Sequence, residues 1–285
     1  MNDAWKKAAE NALGKTIVSL YPLGGGDFAQ AFKAVLSDRQ VVFVKTHHNP
    51  PPDFFSTEAA GLNWLRDSGQ VNVPQVYAVS DKPPFLVLQW VEIGQGDAQT
   101  EMQFGRQLAR LHSEKFSCFG RPDIRATGSQ ALPNHPCKSW TEFYANKRLL
   151  PLAKLAQDKQ ALDSDCIAKL EKVCSKLDEF GAADEPPSLL HGDLWAGNRV
   201  VDNTGQSWLI DPAAHGGHRE FDLAMMQLFG GYGKACFTAY HEVYPLQSGW
   251  KDRVALHQLA PLVVHAIKFG ASYRSATLNA LAAYV

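Results

Sequence analysis

The sequence predicts an α+β protein with two lobes, a β-rich amino-terminal lobe and a mainly helical lobe after it. In the first 90 residues, short β-branched and apolar runs alternate with turn residues, which is typical of strands. From about residue 97, apolar residues recur at helical spacing. We therefore expect one lobe of residues 1–91 and a second lobe of residues 92–285, joined by a short connector at residues 92–96. With 285 residues, 45% of them hydrophobic, the chain can bury a substantial core.

The first lobe is expected to contain a five-stranded sheet and two helices. Residues 1–15 predict an amphipathic helix without the apolar centre of a signal peptide. A second helix, with Asp53 as its N-cap, is predicted after the third strand. The predicted strands of this lobe are residues 17–20, 31–36, 41–45, 75–79 and 85–90, and its second helix is residues 54–67. The helices predicted for the second lobe are residues 98–112, 140–155, 163–180, 221–229, 238–243 and 250–269, and residues 113–138 are expected to be irregular.

Composition excludes several classes of function. The net charge of −1 gives no support for a nucleic-acid or anionic-membrane partner. No apolar run approaches the roughly 20 residues that span a bilayer, so we expect a cytoplasmic protein. The five cysteines are scattered and form no C-x-x-C pair, which favours reduced thiols over zinc or disulfides. The ten histidines show no H-E-x-x-H spacing, so a dedicated metal site is not expected from them.

The most specific feature is the octapeptide H-G-D-L-W-A-G-N at residues 191–198. Asp193 is followed five residues later by Asn198, and Asp211 comes just after the next predicted hairpin. An Asx-capped turn would explain one acid here but not all three groups. Together they suit phosphoryl transfer, in which one acid orients a substrate hydroxyl while an amide and a second acid hold Mg²⁺ on the phosphates of ATP. We therefore expect Asp193 to be catalytic, and Asn198 and Asp211 to be metal ligands.

A second group of residues predicts nucleotide binding in the first lobe. Gly24, Gly25 and Gly26 form either a hairpin turn or a loop whose backbone N–H groups approach phosphates. Lys45 ends an apolar strand, and a buried ammonium there needs a counter-charge. Glu58, one turn into the following helix, is the best-placed acid, although it could also be a surface residue. We predict a Lys45–Glu58 ion pair beside the glycines.

The adenine ring of a nucleotide needs a dry slot and one or two backbone hydrogen bonds. Gln89, Trp90 and Val91 lie where the last strand passes into the connector, so we expect them to offer that edge. The choice rests on position, since these side chains could equally serve only in packing.

Four further residues are candidates for substrate contact or support. Trp195 is either a core residue or a platform for the apolar face of a sugar or for a cation. His215 and His218 either touch substrate or are ordinary loop residues beside glycines. Asp222 is either an acid favoured in the first turn of a helix or a residue that hydrogen-bonds the backbone of the Asp193 loop. We expect the second role for Asp222.

These segments resemble the fructosamine kinase (ketosamine 3-kinase) family, a group with the protein-kinase-like fold that is related to aminoglycoside and choline kinases. The likeness runs from about residue 15 to 275. The matching motifs are G-G-G at 24–26, V-K at 44–45, E-A-A at 58–60, H-G-D-L-W-x-G-N at 191–198, D-P-A at 211–213, G-H-R-E-x-D-L-A-M at 217–225, and the segment 262–273.

The resemblance implies ATP-dependent phosphorylation of ketosamines at the third sugar hydroxyl, which leads to deglycation. It also implies that Asp193 is the acid/base, that Asn198 and Asp211 bind Mg²⁺, and that Lys45 and Glu58 clamp the phosphates. Some family members carry a cysteine after the triple glycine that links dimers. Asp27 stands there in this chain, so that disulfide is not expected, and the oligomeric state stays open.

Two alternatives remain. The chain could phosphorylate an aminoglycoside or an amino alcohol such as choline, or it could be a catalytically inactive nucleotide-binding module. Because the pKa of a free Asp lies near 3.9, we expect Asp193 to act mainly by orienting the hydroxyl and to receive its proton late.

Overall fold

A computed structural model describes residues 4–24, 28–181 and 185–285. Gly24 of the predicted glycine loop lies within these ranges, whereas Gly25, Gly26 and Asp27 lie outside them. Within the described ranges, no helix combines the length and the apolar character that crossing a membrane requires. The five cysteines all lie within these ranges and are free thiols, as the sequence predicts.

The first lobe is built on an antiparallel sheet in the order β1-β2-β3-β5-β4, which confirms the five predicted strands. Its elements are α1 (Ala4–Leu13), β1 (Ile17–Leu23), β2 (Gln30–Leu36), β3 (Val41–Thr46), α2 (Phe54–Asp67), β4 (Val76–Asp81) and β5 (Pro84–Gln89).

Strand β5 is apolar from Pro84 to Leu88 because both faces of the sheet are covered. Phe85 and Val87 pack into a core cluster that includes Ala9 of α1. The alternate residues Leu86 and Leu88 pack into the cluster of α2. Helix α2 therefore lies on one face of the sheet and α1 on the other.

The start of α2 differs from the prediction. Asp53 has a φ of 57° and makes no side-chain cap. The carboxylate of Asp81, at the end of β4, instead accepts hydrogen bonds from the N–H groups of Phe55 and Ser56 at 3.1 and 3.3 Å. The cap comes from a residue distant in sequence, and local spacing could not reveal it.

The second lobe is mainly helical, as predicted. Its elements are α3 (Ala98–Ser113), α4 (Trp140–Tyr144), α5 (Leu150–Asp158), α6 (Ser164–Cys174), β6 (Ser188–Leu190), β7 (Arg199–Val201), β8 (Ser207–Leu209), β9 (His215–Gly217), α7 (Glu220–Leu228), α8 (Lys234–Val243), α9 (Val254–Phe269) and α10 (Ala271–Leu281). A π-helical turn, Ala145–Leu149, joins α4 to α5. The prediction of one helix over 163–180 was wrong, since α6 ends at Cys174 and a 3₁₀ turn follows. Helix α10 was not predicted.

The polar residues singled out in the sequence lie in or between the strands of two small sheets. Strands β6 and β9 pair antiparallel, and β7 and β8 form a hairpin. The 191–198 loop connects β6 to β7, and Asp211 lies in the short segment between β8 and β9. A core cluster shared by α2, α3, α7 and α8 lies beneath this region. The two lobes therefore meet where the predicted site residues converge.

Residues 113–138 are irregular, as predicted, and pack directly behind the site. Gly120 and Gly216 exchange two backbone hydrogen bonds of 2.8 Å. Arg121, with no exposed side-chain surface, donates to the carbonyl oxygen of Ala214 at 2.6 Å. This segment fixes β9 and the turn after Asp211 from behind.

Candidate active site

Lys45 lies at the centre of an ion-pair cluster between the lobes. On β3 it shares a face with Phe43, the face that α2 covers. Its Nζ lies 2.8 Å from Oε1 of Glu58, and it also contacts Oδ1 of Asp211. Burial lowers the pKa of Lys45, but Glu58 and Asp211 outweigh that effect and hold the pKa above its ordinary value. The ammonium therefore stays charged between an acid of the first lobe and an acid of the second.

Asp193 and Asn198 are brought together by the tight turn between β6 and β7. The amide nitrogen of Asn198 donates to the backbone oxygen of Asp193 at 2.8 Å and to its carboxylate at 3.0 Å. Burial raises the pKa of Asp193 to about 7, although the Asn198 hydrogen bond opposes the shift. This result changes the expectation drawn from a free Asp, because a carboxyl with a pKa near neutrality is a better base for a hydroxyl.

His191 orients the backbone of the same loop. Its Nε2 lies 2.9 Å from the carbonyl oxygen of Ile210, so Nε2 carries the proton and donates. Its Nδ1 therefore accepts, and the N–H of Asp193 donates to it at 3.2 Å. Burial lowers the pKa of His191, which keeps the ring in this neutral form.

Asp222 holds the loop from below. Its two carboxylate oxygens accept the backbone N–H groups of His191 and Gly192 at 2.7 and 2.9 Å. The ring of His112 lies 3.3 Å from the same carboxylate and 3.0 Å from the hydroxyl of Tyr240. Burial acts to raise the pKa of Asp222, but these partners hold it below its ordinary value. Sequence reasoning did not identify His112 or Tyr240.

Backbone geometry also fixes the loop. Gly192 has a φ of 80°, and a Cβ there would lie 2.3 Å from the carbonyl oxygen of Ala213. Asp211 has a φ of 56°, a left-handed conformation that is uncommon for residues other than glycine. Such backbone conformations persist where the surrounding structure enforces them, which happens often at functional sites.

The residues present fit a magnesium ion and a nucleotide phosphate. Asn198 uses its amide nitrogen on Asp193, so its amide oxygen, the atom a hard cation requires, is not taken up in that contact. The Asp211 side chain is 42% exposed and has Lys45 as its partner. Carboxylate and amide oxygens beside a fixed ammonium are the donor set that a metal-bound phosphate needs.

The remaining nucleotide candidates lie at opposite ends of the five-stranded sheet. Gln89 is the last residue of β5, and Trp90 and Val91 follow it, half-buried, where the chain leaves the first lobe. The indole nitrogen of Trp90 donates to Glu92 at 2.8 Å, and Lys33 lies over its ring. Gly24 directly follows β1. The adenine and phosphate roles of these residues stay predictions.

Trp195 belongs to the 191–198 loop and lies at the surface, with 40% of its side chain exposed. Its ring lies across Gly197, where a Cβ would come within 2.2 Å of it. The core alternative for Trp195 is therefore wrong, and the exposed ring is available as a platform.

His215 and His218, the other two substrate candidates, are buried. They are 1% and 2% exposed, and burial lowers the pKa of each to about 3. His215 stacks on Phe143 of α4, and the 113–138 segment bridges to the neighbouring Gly216 of β9. We assign neither residue a substrate contact.

His218 instead belongs to a buried polar cluster. His218, Glu220 and His257 offer ligand atoms within 4.8 Å of one another, a convergence that sequence spacing did not indicate. Arg253 donates to both carboxylate oxygens of Glu220 at 2.8 and 2.6 Å. Because a guanidinium already neutralises the only carboxylate of the three, the cluster does not suit a metal cation.

Comparison with known proteins agrees with this geometry. The family model of fructosamine kinase matches residues 1–285. A probable ketoamine kinase from Enterococcus faecium is 34% identical over 260 residues, which cover 89% of this chain and 91% of that protein. The ketosamine-3-kinase of Mus musculus is 30% identical over 286 residues, which cover 90% of this chain and 91% of the mouse protein.

Solved structures show the same fold. The crystal structure of a protein assigned as a fructosamine-3-kinase from Thermobifida fusca matches with a TM-score of 0.91 and 36% identity over 99% of both chains. The choline kinase LicA of Streptococcus pneumoniae, at 15% identity over 100% of this chain and 99% of its own, shares the fold with a TM-score of 0.68. The predicted protein-kinase-like fold is thus confirmed, and the chain is an ATP-dependent small-molecule kinase. It belongs to the fructosamine kinase family.

Proposed function

We propose that this enzyme transfers the γ-phosphoryl group of ATP to the third sugar hydroxyl of ketosamines, the adducts of a sugar with an amine. The observation that carries the proposal is the pairing of Asp193, a carboxyl with a raised pKa, with the half-exposed indole of Trp195 two residues later. An aromatic face beside an acid/base group suits a polyol that carries an amine. The name of the mouse relative, a ketosamine-3-kinase, supports the same substrate class.

The residues of the site divide the reaction between them. Asp193 orients the acceptor hydroxyl and takes its proton as the oxygen attacks phosphorus. Lys45, fixed by Glu58, binds phosphate oxygens. Asn198 and Asp211 would hold Mg²⁺, which supplies neutralisation of the negative charge on the phosphates. In a loose transition state most of the rate comes from such positioning and charge neutralisation.

The product explains what the reaction achieves. A 3-phosphate on a ketosamine is a leaving group next to a carbonyl-bearing carbon, so the phosphorylated adduct breaks down and releases the amine. The activity is thus deglycation of metabolites or proteins. We place it in the cytoplasm, where free thiols such as the five cysteines persist.

The two alternatives are less well supported. An inactive nucleotide-binding module needs the loss of at least one of Lys45, Asp193, Asn198 and Asp211, and all four are present and converge. An aminoglycoside kinase needs an acidic acceptor surface for a polycation, whereas the exposed side chain beside Asp193 is the indole of Trp195.

The direct experiment offers ribulosyl-lysine, fructosyl-lysine, choline and an aminoglycoside separately with Mg-ATP and follows ADP release. We expect turnover of one or both ketosamines and none of the other two. Turnover of choline or the aminoglycoside, with no ADP from either ketosamine, would overturn the proposal.

A further inference from the structure

Four aromatic side chains form a continuous surface beside the catalytic loop. Trp195 comes from that loop, Phe229 follows α7, Phe269 ends α9, and Tyr273 lies in α10. The ring of Phe229 lies 6.2 Å from that of Trp195 and 6.5 Å from that of Tyr273, and Phe269 lies 6.0 Å from Tyr273. We call these four residues the aromatic surface.

Much of the aromatic surface is open to solvent. Trp195, Phe229 and Phe269 are 40%, 37% and 50% exposed. A contiguous exposed apolar patch is unfavourable in water and usually marks a binding surface. The backbone N–H of Trp195 donates to the backbone oxygen of Asp193 at 3.0 Å, so this surface begins next to the residue that is proposed to contact the acceptor hydroxyl.

Lys268 gives this surface a positive edge. It precedes Phe269 in sequence and is exposed. It lies in the last turn of α9, directly before the exposed ring of Phe269. A flexible ammonium at this point can pair with an anionic group on a bound molecule.

The chemistry of a ketosamine decides which part of it meets this surface. Only two carbon atoms separate the amine nitrogen from the carbon that bears the third hydroxyl. When that hydroxyl contacts Asp193, the amine lies within a few bonds of Asp193, which is close enough for its substituent to reach Trp195 and Phe229.

We propose that the aromatic surface binds the amine-derived half of the acceptor, and that Lys268 makes it prefer an aromatic amino acid with a free carboxylate. The proposal rests on the ketosamine kinase activity proposed above and names its preferred substrates. The ring of the amino acid would pack on Phe269 and Phe229, and its carboxylate would pair with Lys268.

Three matched acceptors separate these contributions. Fructosyl-phenylalanine carries both the ring and the carboxylate, its amide lacks the negative charge, and fructosyl-glycine lacks the ring. Wild-type enzyme is expected to give a kcat/KM about tenfold higher for fructosyl-phenylalanine than for fructosyl-glycine, and about threefold higher than for the amide. Most of each difference should appear in KM, because the groups lie away from the reacting atoms.

Two variants remove the parts of the surface one at a time. Phe269→Ala should bring the phenylalanine-to-glycine ratio close to one and leave the acid-to-amide ratio unchanged. Lys268→Gln should bring the acid-to-amide ratio close to one and leave the phenylalanine-to-glycine ratio unchanged. Val243→Ala, which shortens an exposed apolar residue at the end of α8, is the matched control and should leave both ratios unchanged.

Equal kcat/KM values for the three acceptors, or variants that keep the wild-type ratios, would overturn this inference while the kinase activity stands. The three acceptors are made with ribulose if the enzyme turns over ribulosyl-lysine but not fructosyl-lysine, and no ADP release with either sugar would contradict the proposed function itself, and this inference with it.

Discussion

The carboxylate of Asp222 accepts a 2.9 Å hydrogen bond from the backbone N–H of Gly192, the residue before Asp193, which is the proposed acid/base. A second bond, from the N–H of His191, reaches its other oxygen. The side chain of Asp222 has no exposed surface. A buried carboxylate that accepts two hydrogen bonds from the loop backbone therefore fixes the segment that leads into Asp193.

Replacing this carboxylate should loosen the loop. In Asp222→Asn one oxygen becomes an NH₂ group that faces a backbone donor. We expect the free energy of unfolding to fall by about 2–3 kcal/mol, because hydrogen bonds to charged groups are worth roughly 1.5–3 kcal/mol. Chemical denaturation measures this change, and steady-state kinetics should show a lower kcat. Asp165→Asn, on the exposed surface of α6, is the control, and an equal effect there would contradict the role of Asp222.

Gly192 should tolerate no side chain. Gly192→Ala adds a Cβ 2.3 Å from a backbone oxygen, whereas Gly69→Ala adds one at a similar φ, 67°, with nothing within 4 Å. We expect Gly69→Ala to cost about 1–2 kcal/mol of stability, the ordinary strain of a left-handed residue. Gly192→Ala should cost clearly more and should abolish measurable kcat. Similar thermal midpoints and activities for the two variants would show that the close approach to Ala213 is not restrictive.

The buried ion pair of Lys45 should govern ATP binding. Glu58→Gln leaves Lys45 paired with Asp211 alone. The ammonium is then held less firmly in the position where it would bind a phosphate oxygen. We expect the KM for ATP to rise roughly tenfold, equivalent to about 1.4 kcal/mol. Asp158→Asn removes an exposed ion pair with Lys154 and should change the KM for ATP by less than about twofold. An unchanged KM for ATP in Glu58→Gln would argue against the clamp.

Stability should fall in mild acid. Burial lowers the pKa of His215 and His218 from 6.5 to about 3. Between pH 6.5 and 3, these two histidines bind protons in the unfolded chain but not in the folded protein. The stability from the neutral rings is therefore complete above pH 6.5 and is lost as the pH falls towards 3. The thermal midpoint should drop between pH 7.5 and 5.

The control for this prediction is the double variant His215→Gln, His218→Gln. It should be less stable than wild type at pH 7.5 but should lose less stability on acidification to pH 5. An unchanged dependence on pH would show that other groups cause the acid sensitivity. The stability that Glu220 contributes, with its pKa lowered to about 2, is lost only below pH 4.5 and therefore outside this window. Asp193, whose pKa is raised to about 7, acts inside the window in the opposite direction and is common to both proteins.

The sequence predicted the roles of residues whose partners lie nearby in the chain or are required by their chemistry. Lys45 ends an apolar strand, so it needed a counter-charge, and Glu58 on the next helix supplies it. Asp222 opens a helix near the loop it supports. His112 was missed because its partner Asp222 lies 110 residues away, and nothing in the pattern of α3 distinguishes it.

The burial of His215 and His218 was not predicted, and the reason is physical. His215 and His218 stand beside glycines, which suggested an exposed loop. In the structure Gly216 allows the 113–138 segment to approach, since a Cβ there would lie 1.8 Å from the carbonyl oxygen of Cys118. The glycines thus serve close packing, and burial of the neighbouring histidines follows from tertiary contacts that the sequence does not reveal.

The central claim is that Asp193 takes the proton of a ketosamine hydroxyl, and Asp193→Asn tests it most directly. The measurement is ADP release from Mg-ATP with ribulosyl-lysine or fructosyl-lysine, together with the affinity of each protein for ATP. We predict a loss in kcat of about 10³-fold, within the range that general acid–base groups contribute, with ATP affinity nearly unchanged. Wild-type turnover in Asp193→Asn would contradict the account.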